Sequence, residues 1–206
     1  LRAVSHDLRT PLTSMIGASS SYLENETTLS SPEKRDLVSH IYEDANWLLH
    51  MVENLLSVTR ITDGISNTLK ETPEVAEEVL FDAVSTIRKR YPDYQIQVSV
   101  PGDFYVVPMD PLLIKQVIIN LLENAVNGCI ECGSRDEITV NLRMKKEKLV
   151  IVCSNPCKTD LVIENDIIKP KGTGIESILM VIDKYDGNIR YQMEDGILTA
   201  CVILNC

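Results

Sequence analysis

The sequence predicts an all-α helical hairpin followed by an α+β sandwich, in which a layer of helices covers one mostly antiparallel sheet. Up to about residue 62, apolar residues recur at spacings of three and four, which is the pattern of long helices with narrow apolar seams. After Gly64 the pattern changes to shorter helices mixed with alternating strands and adjacent hairpins, which is typical of helices layered on a sheet. We therefore predict two domains, residues 1–64 and residues 65–206.

Two helices are predicted in the first domain. The first spans residues 1–25, and its seam runs through Leu1, Val4, Leu8, Pro11, Met15, Ala18 and Tyr22. The second is predicted to begin with Ser31 as its cap and Pro32 in the first helical position, and to continue to about Thr62. Two antiparallel helices cannot bury both seams alone, so we expect residues 1–64 to form a homodimer with a four-helix bundle.

The second domain is predicted to contain three helices and several strands. The helices span 74–90, 110–129 and 173–185, and the middle one is entered through Asp110-Pro111, a cap followed by a first-turn proline. Strands are predicted at 95–100 and 105–107, and paired as hairpins at 138–144 with 148–153 and at 188–193 with 197–204. The residues between Cys153 and Pro170 are expected to form a loop.

Composition restricts the class of protein. The chain has 206 residues, of which 44% are hydrophobic and 24% charged, as in ordinary globular domains. The net charge of −10 repels phosphodiester backbones, so direct nucleic-acid binding is not expected. No apolar run approaches the roughly 20 residues of a membrane-spanning helix. Because the chain begins with Leu1 in helical register and has no signal peptide, we expect a fragment of a longer protein.

Six cysteines lie in the C-terminal half of the chain, namely Cys129, Cys132, Cys153, Cys157, Cys201 and Cys206. The pairs Cys129-x2-Cys132 and Cys153-x3-Cys157 permit a zinc site. The alternative, which we favour because the pairs flank a helix end and a strand end, is that they are small buried apolar residues in a reduced protein.

Residues 5–12 read S-H-D-L-R-T-P-L. With the seam placed as above, His6 lies on the outward face of the helix and Thr10 follows one turn later on the same side. Asp7 can reach the imidazole and make one ring nitrogen more basic and nucleophilic, and Pro11 is expected to bend the helix. For the His-Asp pair alone, an ordinary surface histidine is the alternative.

Four amides lie on one face of the otherwise apolar helix 110–129. They are Gln116, Asn120, Asn124 and Asn127, at spacings of four, four and three. Buried amides must find partners, and a line of carboxamides can bind a divalent ion and phosphate oxygens. The alternative is a polar stripe that faces solvent.

A short glycine-containing segment, residues 169–174 (K-P-K-G-T-G), precedes the last predicted helix. Glycines allow the backbone to approach phosphate closely, and a helix N-terminus favours anions. A G-x-G pattern alone is also compatible with a simple turn.

These motifs together resemble those of sensor histidine kinases. Residues 5–12 resemble the H-box of that family, and N-L-L-E-N-A at 120–125 resembles the N-box of the same kinases and of the related GHKL ATPases. The resemblance implies a phosphotransfer domain followed by an ATP-binding sandwich of the GHKL ATPase / histidine kinase type. It implies that His6 is the phosphoacceptor, that Asp7 is the general base and that Thr10 positions water during phosphatase action.

The resemblance also implies a site for ATP and Mg²⁺. In it, Asn124 would bind Mg²⁺, Asn120 would face the phosphates and Glu123 would lie near the site. Asn127 stands where the family usually has a lysine, and Asn155 stands where the G1 box has its adenine-binding aspartate.

The glycine segment resembles the G2 box of the same family. The resemblance implies that Lys171, Gly172, Thr173 and Gly174 bind the nucleotide, although Pro170 replaces the first family glycine. Residues 1–125 look closest to the potassium-sensing KdpD group. From about Asn127 onward the chain looks closer to short-lid ATPase domains of Agr-type peptide receptors, which suggests a natural or engineered hybrid.

The activity implied is ATP-dependent autophosphorylation of His6, followed by transfer to an aspartate of a response regulator, with response-regulator phosphatase as a second activity. A hinge near residues 62–68 would let the ATP domain reach the histidine. The chain would be the cytoplasmic portion of a membrane-anchored bacterial sensor. The alternative is a pseudokinase or a phosphotransfer and dimerisation scaffold, because the lysine and several glycines of the family pattern are missing.

Overall fold

The structure, a computed structural model, describes residues 2–62, 71–100, 102, 104–158, 163–164, 167–168 and 173–205. Side chains are described for these residues except 2–7, 46–47, 50–51, 53–62, 163–164, 167–168 and 173. Contacts divide the chain into two compact units, Leu1–Leu56 and Ser57–Cys206. The predicted domain boundary after residue 64 and most of the predicted hinge lie outside the described residues, and both stay predictions.

The first unit consists of two long helices, α1 (Arg2–Glu24) and α2 (Ser31–Thr62, which runs into the second unit). Helix α1 continues through Pro11. Pro11 is buried and the next seam residues along α1, Met15, Ala18 and Tyr22, are half-buried. On α2, Leu37 is half-buried in the same way. The predicted seam is thus the more buried face of α1.

A second apolar stripe on the same two helices is exposed. Its members are Leu12, Ile16 and Leu23 on α1 and Val38, Tyr42, Leu49 and Val52 on α2. Nothing in the described part of the hairpin covers this stripe.

The start of α2 differs by one residue from the prediction. The capping residue is Ser30, not Ser31: its hydroxyl and its backbone N–H both donate to Glu33 Oε2, at 2.7 and 2.8 Å. This is the reciprocal S-x-x-E capping box, and these bonds to Ser30 lower the pKa of the Glu33 carboxyl. Pro32 therefore occupies the second helical position, where its missing N–H costs nothing.

The second unit is built on a five-stranded sheet with the order β2-β4-β5-β9-β8. Its strands are β2 (Ile96–Ser99), β4 (Ile138–Lys145), β5 (Lys148–Pro156), β8 (Asn188–Glu194) and β9 (Ile197–Asn205). β2 pairs with β4 in parallel and the other pairs are antiparallel, so the predicted mostly antiparallel sheet is confirmed.

Three helices form the layer on this sheet, namely α3 (Ala76–Arg90), α4 (Pro111–Cys132) and α5 (Thr173–Lys184). Helix α4 packs against α3, α5 and β5. Its apolar side chains are buried in one core with those of the sheet, including Ile118, Leu122 and Ile151. The predicted combination of a helical hairpin and an α+β sandwich is confirmed.

Short elements were not predicted from the sequence. β1 (Thr72–Val75) pairs antiparallel with β3 (Val106–Met109), so α3 begins at Ala76 rather than at 74. β6 (Ile163–Glu164) and β7 (Ile167–Ile168) form a two-stranded ribbon in the predicted loop. Helix α4 ends at Cys132, three residues beyond the prediction, where Gly133 adopts a left-handed conformation with φ of 70°. Among the described residues, no helix has the length and apolar character needed to cross a membrane.

Candidate functional site

Helices α4 and α5 run antiparallel and carry most of the predicted site. Asp110 caps α4 by accepting from the backbone N–H groups of Leu112 and Leu113, at 3.0 and 3.2 Å, as predicted. The backbone N–H of Asp110 also donates to the hydroxyl of Tyr185, just after α5, at 2.8 Å. The end of α5 therefore lies at the start of α4, and the start of α5 lies farther along α4.

The amide line of α4 passes from the interior to the surface. Asn120 is 1% exposed, Gln116 and Asn124 are half-buried, and Asn127 is exposed. Gln116 Nε2 donates to Asn120 Oδ1 at 3.1 Å. The Nδ2 of Asn120 is buried without a hydrogen-bond partner. Asn127 therefore faces solvent, as the alternative interpretation of the amide line expects, whereas Asn120 does not.

Gly174, in the first turn of α5, faces this line. A methyl group added at Gly174 would lie 3.9 Å from Asn124 Oδ1 and 4.0 Å from Asn120 Cγ. The structure thus brings together three of the predicted site residues from segments about 50 residues apart in the chain. Lys171 and Gly172 lie outside the described residues, and Thr173 begins α5 with its side chain outside the description.

Ser177 is a further candidate site residue, which the sequence did not reveal. It follows Gly174 by three residues on α5 and therefore lies on the same helix face. It is 1% exposed, and its hydroxyl is buried without a hydrogen-bond partner. A serine directly before the apolar run Ile178 to Ile182 is the signal that marks it in the sequence.

Glu123 lies on the side of α4 that meets α3. Its carboxylate forms an ion pair with the guanidinium of Arg90, and both side chains are mostly buried. The charge of Glu123 is thereby balanced within the protein.

Asn155, near the end of β5, is 4% exposed and packs against α4. Its Nδ2 donates to the carbonyl oxygen of Pro156 at 2.7 Å. The contact on the α4 side is Gly128, where an added methyl group would lie only 2.6 Å from Asn155 Nδ2. Gly128 was missed from the sequence, although a glycine inside a helix often has a packing reason.

The predicted phosphoacceptor group lies on α1. The backbone of His6 and Asp7 is helical, and their side chains lie outside the description. Thr10 follows one turn after His6 and is exposed, which agrees with the outward face predicted for it.

Three cysteines, one on α4, one on β5 and one just after β5, are packed as small apolar residues. Cys129, Cys153 and Cys157 are buried. Burial raises the pKa of the Cys129 thiol to about 11 and that of Cys153 to about 12, so both stay protonated at neutral pH. Within the described ranges, no group of three or more cysteine, histidine or carboxylate side chains is arranged to hold a metal ion.

The residues around α4 and α5 fit a nucleotide with its metal ion. The orphaned Nδ2 of Asn120 is a buried donor that a phosphate oxygen satisfies. Asn124 Oδ1 is an oxygen ligand of the kind that Mg²⁺ accepts. The absence of a side chain at Gly174 leaves the first turn of α5 open to phosphate, and the N–H groups of a first helical turn have no partner within the helix.

Two family profiles match the chain. The His Kinase A (phospho-acceptor) domain matches residues 1–64, and the GHKL domain matches residues 109–205.

Similar curated proteins include the sensor protein KdpD of Clostridium acetobutylicum, which is 46% identical over 145 residues, and KdpD of Escherichia coli, which is 34% identical over 149 residues. These matches cover 70% and 72% of this chain and 16% of each relative. The chain thus spans only a small part of the length of the KdpD proteins that it matches.

Solved structures share the fold. The Acinetobacter baumannii histidine kinase AdeS matches with a TM-score of 0.75 and 17% identity over 97% of both chains. Histidine kinase ThkA, solved in complex with the response regulator protein TrrA, matches with a TM-score of 0.68 and 18% identity over 98% of this chain and 60% of ThkA. With both profiles in order along a sequence that carries the H-box and the N-box, the chain belongs to the sensor histidine kinase family.

Proposed function

We propose that the chain is the core of a sensor histidine kinase, a transferase that binds ATP with Mg²⁺ in residues 65–206 and phosphorylates His6. The phosphoryl group then passes to an aspartate of a response regulator. The observation that carries this proposal is the buried, unpartnered Nδ2 of Asn120, which lies near Gly174 in the first turn of α5. A buried amide without a partner lowers stability, so its retention favours a ligand that satisfies it.

The phosphate end of the site is assigned to α4 and the start of α5. When bound, ATP would donate the phosphoryl group and leave as ADP, and Mg²⁺ would offset the charge that develops on the phosphoryl group. Asn124 Oδ1 would hold the metal ion, and Asn120 Nδ2 would donate to a phosphate oxygen. The backbone of Lys171, Gly172, Thr173 and Gly174 is assigned to the remaining phosphate oxygens, with the partial positive charge of the α5 N-terminus in support.

The base end of the site is assigned to Asn155, which takes the place of the family aspartate. Asn127 is assigned to the rim of the site, where it is exposed and offers an amide instead of the family lysine. Glu123 is assigned to the border of the site, where its ion pair with Arg90 keeps its negative charge from opposing phosphate.

His6, Asp7 and Thr10 are assigned to the acceptor side of the reaction. The Asp7 carboxylate would accept a hydrogen bond from one ring N–H of His6 and so hold the imidazole in the tautomer whose other nitrogen has a free lone pair. As that other nitrogen bonds to phosphorus, Asp7 would take the proton from the first one. Thr10, which is exposed, would orient water against the phosphorylated response regulator in the phosphatase reaction.

The partners follow from the same proposal. The exposed apolar stripe of α1 and α2 supports a homodimer through residues 1–64. The complex of the structural relative ThkA with a response regulator supports a receiver domain as the second partner. The KdpD relatives are much longer than this chain, and we place the chain in the cytoplasmic portion of a membrane-anchored bacterial sensor.

The proposal is tested by incubation with γ-labelled ATP and Mg²⁺, with wild type compared with His6→Gln and with His40→Gln. His40 lies on α2 beside Glu43 and is exposed, so its replacement is the matched control. We expect acid-labile label on wild type and on the control, and none on His6→Gln. Label that persists in His6→Gln would move the acceptor to another residue.

The alternative proposal, a pseudokinase or phosphotransfer scaffold, draws on Asn127 and Asn155, which both depart from the family pattern. Thermal unfolding with and without Mg²⁺–ATP separates the two proposals, because a ligand that binds the folded state raises the midpoint. A kinase core is expected to gain stability with ATP. No label and no thermal shift would leave the scaffold as the surviving proposal.

A further inference from the structure

Asn155 raises a problem of selectivity that an aspartate at the same place would not. A carboxylate only accepts hydrogen bonds, whereas an asparagine amide both accepts and donates. Adenine has an amino group at position 6 of the purine, whereas hypoxanthine has a carbonyl there. An amide that can rotate freely would form a hydrogen bond with either base about equally well.

The carbonyl of Pro156 determines which end of the amide faces a ligand. It accepts from Asn155 Nδ2 at 2.7 Å in a buried environment. A carbonyl oxygen can only accept, so the nitrogen of the amide must face Pro156 and the Oδ1 must face away. This bond uses one of the two N–H groups of the amide. The second N–H belongs to the same nitrogen, which lies against Gly128, so Oδ1 is the end of the amide left for a ligand.

Gly128 makes this orientation sterically possible. A methyl group at position 128 would lie 2.6 Å from Asn155 Nδ2, but at ordinary contact distances of 3.5 Å from Pro156 O and 3.6 Å from Cys157 Sγ. The side-chain amide of Asn155 is therefore the group that would have to move. Gly128 lies inside α4, where glycine is a poor helix former, and this close approach is a physical reason for a glycine there.

We propose that Gly128 and the Pro156 carbonyl keep the amide nitrogen of Asn155 turned toward the protein and Oδ1 turned toward the base, and that this arrangement makes the nucleotide site select a 6-aminopurine over a 6-oxopurine. Gly128 is in this sense a positioning residue that acts through Asn155. The inference rests on the proposed function, because it assigns the base selectivity of the proposed ATP site.

The test compares the binding of ATP and inosine triphosphate, which share the ribose and the phosphates, by calorimetry on the full chain with Mg²⁺. Wild type is expected to bind ATP at least about tenfold more tightly, since two facing acceptors leave a buried group unsatisfied. In Gly128→Ala the ratio is expected to fall to about threefold or less, because the amide is displaced. The matched control is Gly102→Ala, where an added methyl group meets nothing within 4 Å, and it is expected to keep the wild-type ratio.

A second variant, Asn155→Leu, replaces the buried amide by an apolar side chain of similar size and is expected to remove the preference for ATP. Circular dichroism establishes that each variant is folded. If Gly128→Ala or Asn155→Leu binds ATP with the wild-type preference, the inference is overturned while the proposed ATP site stands. If wild type binds neither nucleotide, the proposed function fails and the inference fails with it.

Discussion

In the second unit, some buried polar groups without a hydrogen-bond partner lie within the proposed nucleotide site, and one lies outside it. Asn120 and Ser177 lie on the facing helices α4 and α5, within the proposed nucleotide site. Tyr191 lies on β8 and is 6% exposed, and its hydroxyl also lacks a partner. Burial, with a smaller contribution from Cys153, raises the pKa of Tyr191 to about 12, so this hydroxyl is neutral and poorly solvated. No proposed ligand satisfies it.

Replacement of Tyr191 by phenylalanine is expected to leave the free energy of unfolding unchanged or to raise it by up to about 1 kcal/mol, because a desolvated hydroxyl without a partner is removed. The matched control is Tyr185→Phe, which loses the bond from the backbone N–H of Asp110 and is expected to lower stability by about 1 kcal/mol. Urea unfolding followed by circular dichroism measures both. A loss of stability in Tyr191→Phe as large as that in Tyr185→Phe would mean that the Tyr191 hydroxyl has a partner in solution.

Among the secondary-structure elements, α2 has the clearest sequence signal at its start. Ser30 and Glu33 satisfy each other's backbone and side-chain groups. Ser30→Ala removes the cap and is expected to lower the free energy of unfolding by about 1 kcal/mol. Ser39→Ala, on the exposed surface of the same helix beside Glu43, is the control and is expected to change stability by less than about 0.5 kcal/mol. Thermal unfolding at one protein concentration compares them, and equal effects would rule out a stabilising cap at Ser30.

The sequence predicts those elements whose pattern lies within their own residues, and it misses those that depend on pairing with a distant segment. Helix α4 is long and has a cap and a proline at its start, and all of this information lies within the helix itself. Strand β1 has only four residues and exists because it pairs with β3, more than 30 residues later. Its sequence, T-P-E-V, has no strand pattern of its own, and its last two residues were included in the helix predicted over 74–90.

In the candidate site, too, some residues follow from a local sequence pattern and others depend on packing between distant segments. The amide line on α4 follows from helical periodicity, so Asn120 and Asn124 were predicted from the sequence. The contacts of Gly128 with Asn155 and the burial of Ser177 depend on how α4 packs against β5 and α5. Such contacts join positions far apart in the chain, and periodicity within one segment carries no information about them.

For the molecule as a whole, the surface that bears on assembly is the exposed apolar stripe of the first unit. Each helix of the hairpin has one half-buried seam and, next to it, one exposed apolar stripe that begins at Leu12 on α1 and at Val38 on α2. A single hairpin can cover only one of these faces. A second copy of the chain that packs against the exposed stripe would complete a four-helix bundle, in agreement with the homodimer proposed above.

Ile16, which is 66% exposed in the single chain, tests this assembly. Ile16→Glu places a charge on the exposed stripe and is expected to shift the protein from dimer to monomer, because burial of an unpaired carboxylate in the bundle is costly. Ser14→Glu adds the same charge to the opposite side of α1, where Ser14 is exposed, and is expected to stay dimeric. Sedimentation equilibrium over a range of concentrations gives the mass of each. A dimeric Ile16→Glu would place the dimer contact elsewhere, whereas a monomeric wild type would mean that the stripe stays uncovered, and phosphorylation of His6 would then have to occur within one chain.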